Sequence, residues 1–174
     1  MNKPFVLTGR CWVIKTPDGK RIDDIDTDMI FHNAHLHITK IEEMGPLTFG
    51  NLPGWQDFPR KAEPGDILVV GHNFGCGSSR QQAVDCFIAL GIAAIVGESF
   101  GAIYKRNAIN SGLPLLICPG ILDSEIKSGD QIKLDLENST IENITEKTAF
   151  PGVEPFSQVQ KDIYLAGSLF DLGK

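Results

Sequence analysis

A glycine-rich segment in the middle of the chain carries the residues best suited to chemistry. It reads Gly-His-Asn-Phe-Gly-Cys-Gly-Ser-Ser-Arg over residues 71–80, between an apolar run and a predicted helix. Backbone N–H groups at a helix N-terminus attract anions, and glycines such as Gly77 let an anion approach closely. Ser78 and Ser79 add hydroxyls, and Arg80 adds a planar two-donor group that suits a carboxylate. The segment therefore predicts a carboxylate or phosphate site.

The two serines also have a simpler interpretation as helix caps. Ser79 followed by Gln82 fits the capping-box pattern, and Ser78 followed by Gln81 fits it equally well. A cap explains one hydroxyl and leaves the glycines and Arg80 unexplained, because a cation opposes the dipole at a helix N-terminus unless an anion is near. The anion site is therefore the favoured interpretation.

Histidines and one cysteine give weaker candidates. His32, His35 and His37 suggest a metal site, but no carboxylate or cysteine at a convincing spacing completes the ligand set. We interpret His37 as a substrate contact and predict no metal ligands on this chain. Cys76 lies between two glycines before a helix, where a thiolate would be stabilised, but packing in a tight turn is the favoured role. His72 either faces the site or ends the strand.

Strands and helices alternate around the glycine-rich segment, which predicts an α/β fold with parallel pairing. The predicted elements are a strand within 4–15 followed by a turn at 17–19, a strand at 66–71, a helix at 79–91, a strand at 92–96, a helix at about 100–111, a strand at 113–117, a hairpin of 131–136 with 140–145, and a helix around 158–166.

Residues 45–66 hold too many glycines and prolines for a long helix or strand, and loops of this length are usually functional or mobile. We predict a mobile loop at about 31–64 within a single domain that spans residues 1–174. Phe49, Trp55 and Phe58 are expected to anchor parts of this loop by aromatic packing.

Composition narrows the classes of protein. A length of 174 residues suits one domain, and a formal charge of -6 argues against nucleic-acid binding, which needs a basic face. No apolar stretch has the length of a membrane span, and no signal-peptide pattern opens the chain, so we predict a cytoplasmic protein that binds no membrane.

Four segments, in chain order, resemble the small-subunit family of 3-isopropylmalate dehydratase, in the aconitase superfamily. They are Asp26-Thr-Asp-Met-Ile30, the run that ends at Arg80, Ala94-Ile-Val-Gly-Glu-Ser-Phe100 together with Asn107, and Gly112-Leu-Pro-Leu115. The resemblance implies an α/β fold, the β/β/α swivelling domain of this superfamily. It also implies a hetero-oligomer with a large catalytic subunit that carries a [4Fe-4S] cluster, with no cofactor on this chain.

The resemblance also implies roles for individual residues. Ser78 matches the serine that removes a proton from the carbon next to a substrate carboxylate, and Asp28 matches an acidic residue that supports proton transfer or positions its partner. Arg80 matches the arginine that binds a substrate carboxylate. Ser79 is assigned to orienting the substrate or capping the helix.

The implied function is that of a hydro-lyase small subunit in leucine biosynthesis, which isomerises a hydroxy acid by dehydration and rehydration. Where the family usually has Tyr-Leu-Arg-Thr in the loop that selects the substrate side chain, this chain has His35-Leu36-His37-Ile38. An imidazole is shorter than a guanidinium and lacks its two-pronged donor. Homoaconitate or a methyl-substituted malate is therefore an alternative substrate. A carboxylate- or phosphate-binding module without catalysis is the alternative from another class.

Overall fold

The computed structural model describes residues 3–174, and the strands in this range form one mixed sheet. In chain order they are β1 (Val6–Val13), β2 (Ile67–Val70), β3 (Ala94–Gly97), β4 (Leu115–Ile117), β5 (Gln131–Asp135), β6 (Thr140–Asn143) and β7 (Thr148–Ala149). Across the sheet their order is β4-β3-β2-β1-β5-β6-β7. The predicted hairpin is the β5–β6 pair.

Strand β1 joins a parallel half of the sheet to an antiparallel half. It runs parallel to β2, with Val13 opposite Val69, and β3 and β4 continue in the same direction. On its other side it runs antiparallel to β5, with Leu7 opposite Leu134. All residues of β2 and β3 are buried, which is typical of parallel strands covered on both faces. The α/β class predicted from the alternating pattern is confirmed.

Helices make the crossovers between the parallel strands. The helices are α1 (Thr27–Ile30), α2 (Phe58–Lys61), α3 (Gln82–Ala89), α4 (Ala102–Asn110) and α5 (Gln158–Ala166). Helix α3 connects β2 to β3, and α4 connects β3 to β4. Helix α5 has the predicted bounds and begins with a capping box between Ser157 and Gln160.

The helix predicted from residue 79 begins later. Helix α3 starts at Gln82, and Gln81 before it makes no side-chain cap. The capping-box interpretation of Ser78 and Ser79 is therefore wrong. The physical reason is that both serines lie in the loop before the helix, where other contacts hold them.

Each face of the sheet has its own hydrophobic core. On one face Leu68 and Val70 pack against α3 and the segment between β1 and β2. On the other face Ile67 and Val69 pack against residues of β5, β6 and α5. The alternation along β2 therefore sends successive side chains into different cores.

The aromatic residues of the segment between β1 and β2 pack together as predicted. The rings of Phe49 and Phe58 lie 5.3 Å apart, and Trp55 lies 6.1 Å from Phe58. Phe49 and Phe58 are buried, and Phe49 also contacts Phe87 of α3. This packing fixes the segment at several points, and its predicted mobility stays a prediction.

A buried carboxylate ties β1 to the turn that leads into β2. Asp66 accepts hydrogen bonds from Arg10 Nη2 at 2.8 Å, from Trp12 Nε1 at 2.8 Å and from the N–H of Glu63 at 2.9 Å. Burial raises the pKa of Asp66, but the hydrogen bonds from Arg10, Trp12 and the Glu63 N–H, with the charge of Arg10, together outweigh it, and the net pKa is below the ordinary value. None of the described helices is long and apolar enough to cross a membrane.

Candidate active site

Two loops that are distant in sequence are joined at the carboxyl end of the parallel strands. The N–H of Gly75 donates to the carbonyl of Ile25 at 2.7 Å, and the N–H of Thr27 donates to the carbonyl of Cys76 at 2.9 Å. The Thr27 hydroxyl donates to the carbonyl of Ser78 at 2.7 Å. These bonds bring the start of α1, which carries Asp28, next to the glycine-rich loop.

Asp28 and Arg80, which the sequence assigns to the same site, contact each other. Arg80 Nη1 lies 3.3 Å from Asp28 Oδ1 and donates to the carbonyl of Phe31 at 2.9 Å. The Arg80 side chain is only 11% exposed, and its Nε is buried with no acceptor among residues 3–174. Nη1 is therefore fixed within the chain, and Nη2, which makes no hydrogen bond among the described residues and is not fully buried, is the donor left for an acceptor from elsewhere.

Asp28 is held as a carboxylate. Its Oδ1 accepts from the N–H of Asn33 at 2.8 Å, and its Oδ2 accepts from Asn51 Nδ2 at 2.7 Å. The Asn33 N–H lowers the pKa of Asp28 most, burial raises it, and the Arg80 guanidinium lowers it further. Because the net pKa lies below the ordinary value, Asp28 is ionised at neutral pH, which suits positioning of Arg80 better than proton donation.

The serine hydroxyls and Gly77 are at the surface of the loop. Ser78 and Ser79 are both exposed, as is Gly77. Gly77 has a φ of 91°, a conformation that favours glycine and that lets the chain turn outward before the serines. The Ser79 hydroxyl accepts a hydrogen bond from Asn107 Nδ2 at 3.2 Å. Both hydroxyls can therefore be reached by a ligand or a partner.

Close packing at a second glycine brings α4 against the loop. A side chain at Gly75 would place its Cβ 2.2 Å from the ring of Tyr104, and the φ of Gly75 is 80°. The buried Tyr104 hydroxyl donates to the carbonyl of Ala83 in α3 at 2.9 Å. Only glycine fits under this ring, so the glycine at this position allows α4 to lie beside the serines.

The histidine segment lies beside the start of α3 but is not bonded to the other site residues. Gln82 Nε2 donates to the carbonyls of Leu36 at 3.2 Å and Ile38 at 3.4 Å, which holds this segment in place. His37 is exposed and makes no side-chain hydrogen bond within the described chain. His32 accepts from the N–H of Ala34 at 2.9 Å. The role of His37 in substrate binding stays a prediction.

The cysteines do not fit an iron–sulfur cluster, because they are not grouped with one another or with other ligands in the described part of the chain. Burial raises the pKa of Cys11 and Cys86 to about 12 and that of Cys118 to about 11. Burial, with Asp24 and Asp26 nearby, also raises the pKa of Cys76, so its position before the helix does not stabilise a thiolate. Among residues 3–174, no three His, Cys, Asp or Glu side chains are grouped to hold a metal ion.

His72 lies against a cluster of charged side chains next to the glycine-rich loop. Its Nε2 lies 3.2 Å from Oε2 of Glu98, whose side chain is 1% exposed. Arg21 pairs with the same Glu98 carboxylate and with Asp123, at 3.2 Å. The Glu98 charge is therefore compensated, and the cluster links the chain before α1 to the ends of β2 and β3.

Sequence reasoning did not assign roles to several side chains that position the site. Thr27 binds the Ser78 carbonyl, Asn51 binds Asp28, and Asn107 binds Ser79. Asn107 belongs to one of the segments that resemble the family, which was the available signal for it. No sequence signal marked Asn51, because the fold of the segment between β1 and β2 alone brings it to Asp28.

Comparisons with known proteins agree on the family that the sequence resembles. Residues 24–119 match the model of the aconitase C-terminal domain. The 3-isopropylmalate dehydratase small subunit of Caldicellulosiruptor bescii is 37% identical over 162 residues, which cover 93% of this chain and 95% of that protein. The isopropylmalate/citramalate isomerase small subunit of Methanocaldococcus jannaschii is 38% identical over 164 residues, which cover 94% and 91%.

A solved structure gives the same result for the fold. The crystal structure of 3-isopropylmalate dehydratase from Methanocaldococcus jannaschii matches with a TM-score of 0.84 at 34% identity, over 96% of this chain and 92% of that one. The swivelling-domain fold that the resemblance implies is confirmed. The chain belongs to the small-subunit family of 3-isopropylmalate dehydratase, whose domain is the aconitase C-terminal domain.

Proposed function

We propose that this protein is the small subunit of a hydro-lyase of the 3-isopropylmalate dehydratase type. The geometric observation that supports the proposal most is that the Asp28–Arg80 pair lies in the same joined loops as the exposed residues Ser78 and Ser79. The names of relatives that match over nearly the whole chain support a hydro-lyase over a binding module without catalysis.

In the proposed reaction, Ser78 accepts the proton from the carbon next to a substrate carboxylate. A serine hydroxyl is a poor base, so its alkoxide needs strong stabilisation by nearby donors. The flanking N–H groups of the glycine-rich loop, including that of Gly77, and the guanidinium of Arg80 supply this stabilisation. Arg80 binds a substrate carboxylate with the donors that Asp28 and Phe31 do not occupy, and Ser79 orients the substrate.

The proposed partner is a large catalytic subunit that holds a [4Fe-4S] cluster. When bound there, such a cluster supplies Lewis-acid activation of the substrate hydroxyl. The described cysteines of this chain are unsuited to hold it, because residues 3–174 contain no group of three His, Cys, Asp or Glu side chains placed to bind a metal. Completion of the site by another chain agrees with the exposure of Ser78 and Ser79.

The substrate is a hydroxy acid of the malate type. Two candidates remain within this class, because one close relative is named for both isopropylmalate and citramalate. The His35-Leu36-His37 segment, which replaces the usual arginine-containing loop, favours the smaller, methyl-substituted malate. A homoaconitate-type substrate is the remaining alternative.

Co-purification with the large subunit from the same organism tests the function. We expect a brown complex that interconverts hydroxy-acid isomers, whereas the small subunit alone and the large subunit alone are inactive. The small subunit alone should show no binding of citrate or inorganic phosphate by calorimetry. A chain that binds these anions tightly by itself, and gives no activity with the large subunit, would contradict the proposal.

A further inference from the structure

We propose that Asn107 is a positioning residue that fixes the Ser79 hydroxyl as a hydrogen-bond donor toward the substrate carboxylate. This inference rests on the proposed hydro-lyase function and adds a residue with no previously assigned role. It depends on one contact, the 3.2 Å hydrogen bond from Asn107 Nδ2 to Ser79 Oγ.

The direction of this bond determines what the hydroxyl can do. A serine hydroxyl has one hydrogen to donate and two lone pairs that accept. Asn107 donates to one lone pair, so the hydroxyl hydrogen cannot point at Nδ2 and must turn elsewhere. Among residues 3–174, no group accepts that hydrogen, and Ser79 is exposed. An acceptor that approaches from outside, such as a carboxylate oxygen, therefore meets a donor.

Asn107 can impose this direction because the helix that carries it, α4, is packed against the glycine-rich loop. Tyr104, one helical turn earlier on α4, is buried against Gly75 and bonded to the carbonyl of Ala83. Asn107 is half-buried and lies on the same side of the helix, since residues three apart are neighbours. The packing at Gly75 therefore sets the distance from Asn107 to Ser79.

Replacement of Asn107 by aspartate reverses the direction of the bond without a large change in shape. A carboxylate only accepts, so it takes the Ser79 hydrogen and turns the serine lone pairs toward the substrate. We expect Asn107→Asp in the reconstituted complex to lower kcat/KM by about 10- to 100-fold, mainly through KM, because a hydrogen bond to a charged group is lost.

Asn110→Asp is the matched control. Asn110 lies one turn later on the same side of the helix and makes no side-chain hydrogen bond within the described chain, so this variant adds the same charge without touching the bond to Ser79. We expect kcat/KM within about twofold of the unchanged complex. Thermal unfolding of each variant small subunit shows whether it is folded.

A double-mutant cycle with Ser79→Ala separates positioning from a structural role. In the Ser79→Ala background, both Asn107→Asp and Asn107→Ala should change kcat/KM by less than about twofold. The uncharged Asn107→Ala keeps the test valid if Asn107→Asp does not fold. The inference would be overturned if Asn107→Asp and Asn110→Asp lowered kcat/KM equally. It would also be overturned if Asn107→Asp lowered kcat/KM as much in the Ser79→Ala background as in the unchanged complex. An inactive unchanged complex would instead reject the proposed function.

Discussion

Asp28 holds Arg80 by one nitrogen, with Oδ1 3.3 Å from Nη1, and is itself held by the N–H of Asn33 and the amide of Asn51. The low pKa of Asp28 means that it titrates below the pH range of enzyme assays. Asp28→Asn keeps the shape but removes the charge that faces the guanidinium. We expect kcat/KM to fall by about 10-fold or more because Arg80 is no longer oriented.

The pH profile distinguishes the two roles considered for Asp28. If Asp28 only positions Arg80, the loss in Asp28→Asn is the same at every pH between about 6 and 9, and the profile keeps its shape. A proton-transfer role would require the pKa of Asp28 in the complex to lie within this range, and Asp28→Asn would then remove one limb of the profile. Thermal unfolding serves as the control for folding.

Ser78→Ala tests the assignment of the base. Because Ser78 is exposed and its hydroxyl bonds to no group within residues 3–174, its removal should change the unfolding temperature little. Turnover of the reconstituted complex should fall by at least about 100-fold, since proton abstraction loses its acceptor. Near-normal turnover would reject the base assignment.

Gly75→Ala tests the close packing that places α4 beside the site. Its Cβ would lie 2.2 Å from the Tyr104 ring, so we expect the free energy of unfolding to fall by about 2–4 kcal/mol, from backbone strain plus overpacking. Gly129→Ala is the matched control, because Gly129 has a φ of 97° and no atom within 4 Å of the added Cβ. The free energy of unfolding of Gly129→Ala should fall by only about 1 kcal/mol. Equal losses in denaturant unfolding would show that the Tyr104 contact is unimportant.

The regular elements could be predicted from the sequence because their signals are local. The apolar run at β2 and the spacing of Ala83, Cys86 and Phe87 each depend on neighbouring residues alone, and all three side chains are buried. The start of α3 could not be predicted in this way. Ser78 and Ser79 have strong local capping signals, but contacts with Thr27 and Asn107, distant in sequence, keep them outside the helix.

The part of the candidate site that the glycine-rich loop forms was predictable from the sequence. Its proximity to Asp28 came from the family resemblance rather than from spacing, and the structure adds the direct contact with Arg80. The position of His37, by contrast, could not be predicted from the sequence. No local pattern states how the segment between β1 and β2 folds, because its aromatic side chains pack against distant parts of the core.

The pKa of Asp66 predicts how stability depends on pH. A lowered pKa in the folded state gives stability that is fully present above the unfolded value of about 3.9 and is lost as the pH falls through the folded value. Asp66→Asn should therefore lower the free energy of unfolding by about 2 kcal/mol at pH 7 and at pH 5, and by less at pH 3. Urea unfolding at these pH values measures the difference.

Asp57→Asn is the control for this pH dependence. The Asp57 side chain is 59% exposed, and exposed ion pairs contribute little to stability, so the variant should follow the unchanged protein at every pH. If the free energy of unfolding of Asp66→Asn differs from that of the unchanged protein by the same amount down to pH 3, the charge of Asp66 is not the origin of the effect.

The segment around His37 predicts substrate preference. It lacks the arginine that family members usually place there, and Gln82 holds it beside the start of α3. We expect kcat/KM for 3-isopropylmalate to be at least about 10-fold below that for citramalate in the reconstituted complex, since poor side-chain contacts cost about this much. His37→Arg should reduce the ratio of kcat/KM for citramalate to that for 3-isopropylmalate, whereas the uncharged His37→Gln should leave this ratio unchanged. Highest activity on 3-isopropylmalate in the unchanged complex would contradict the prediction.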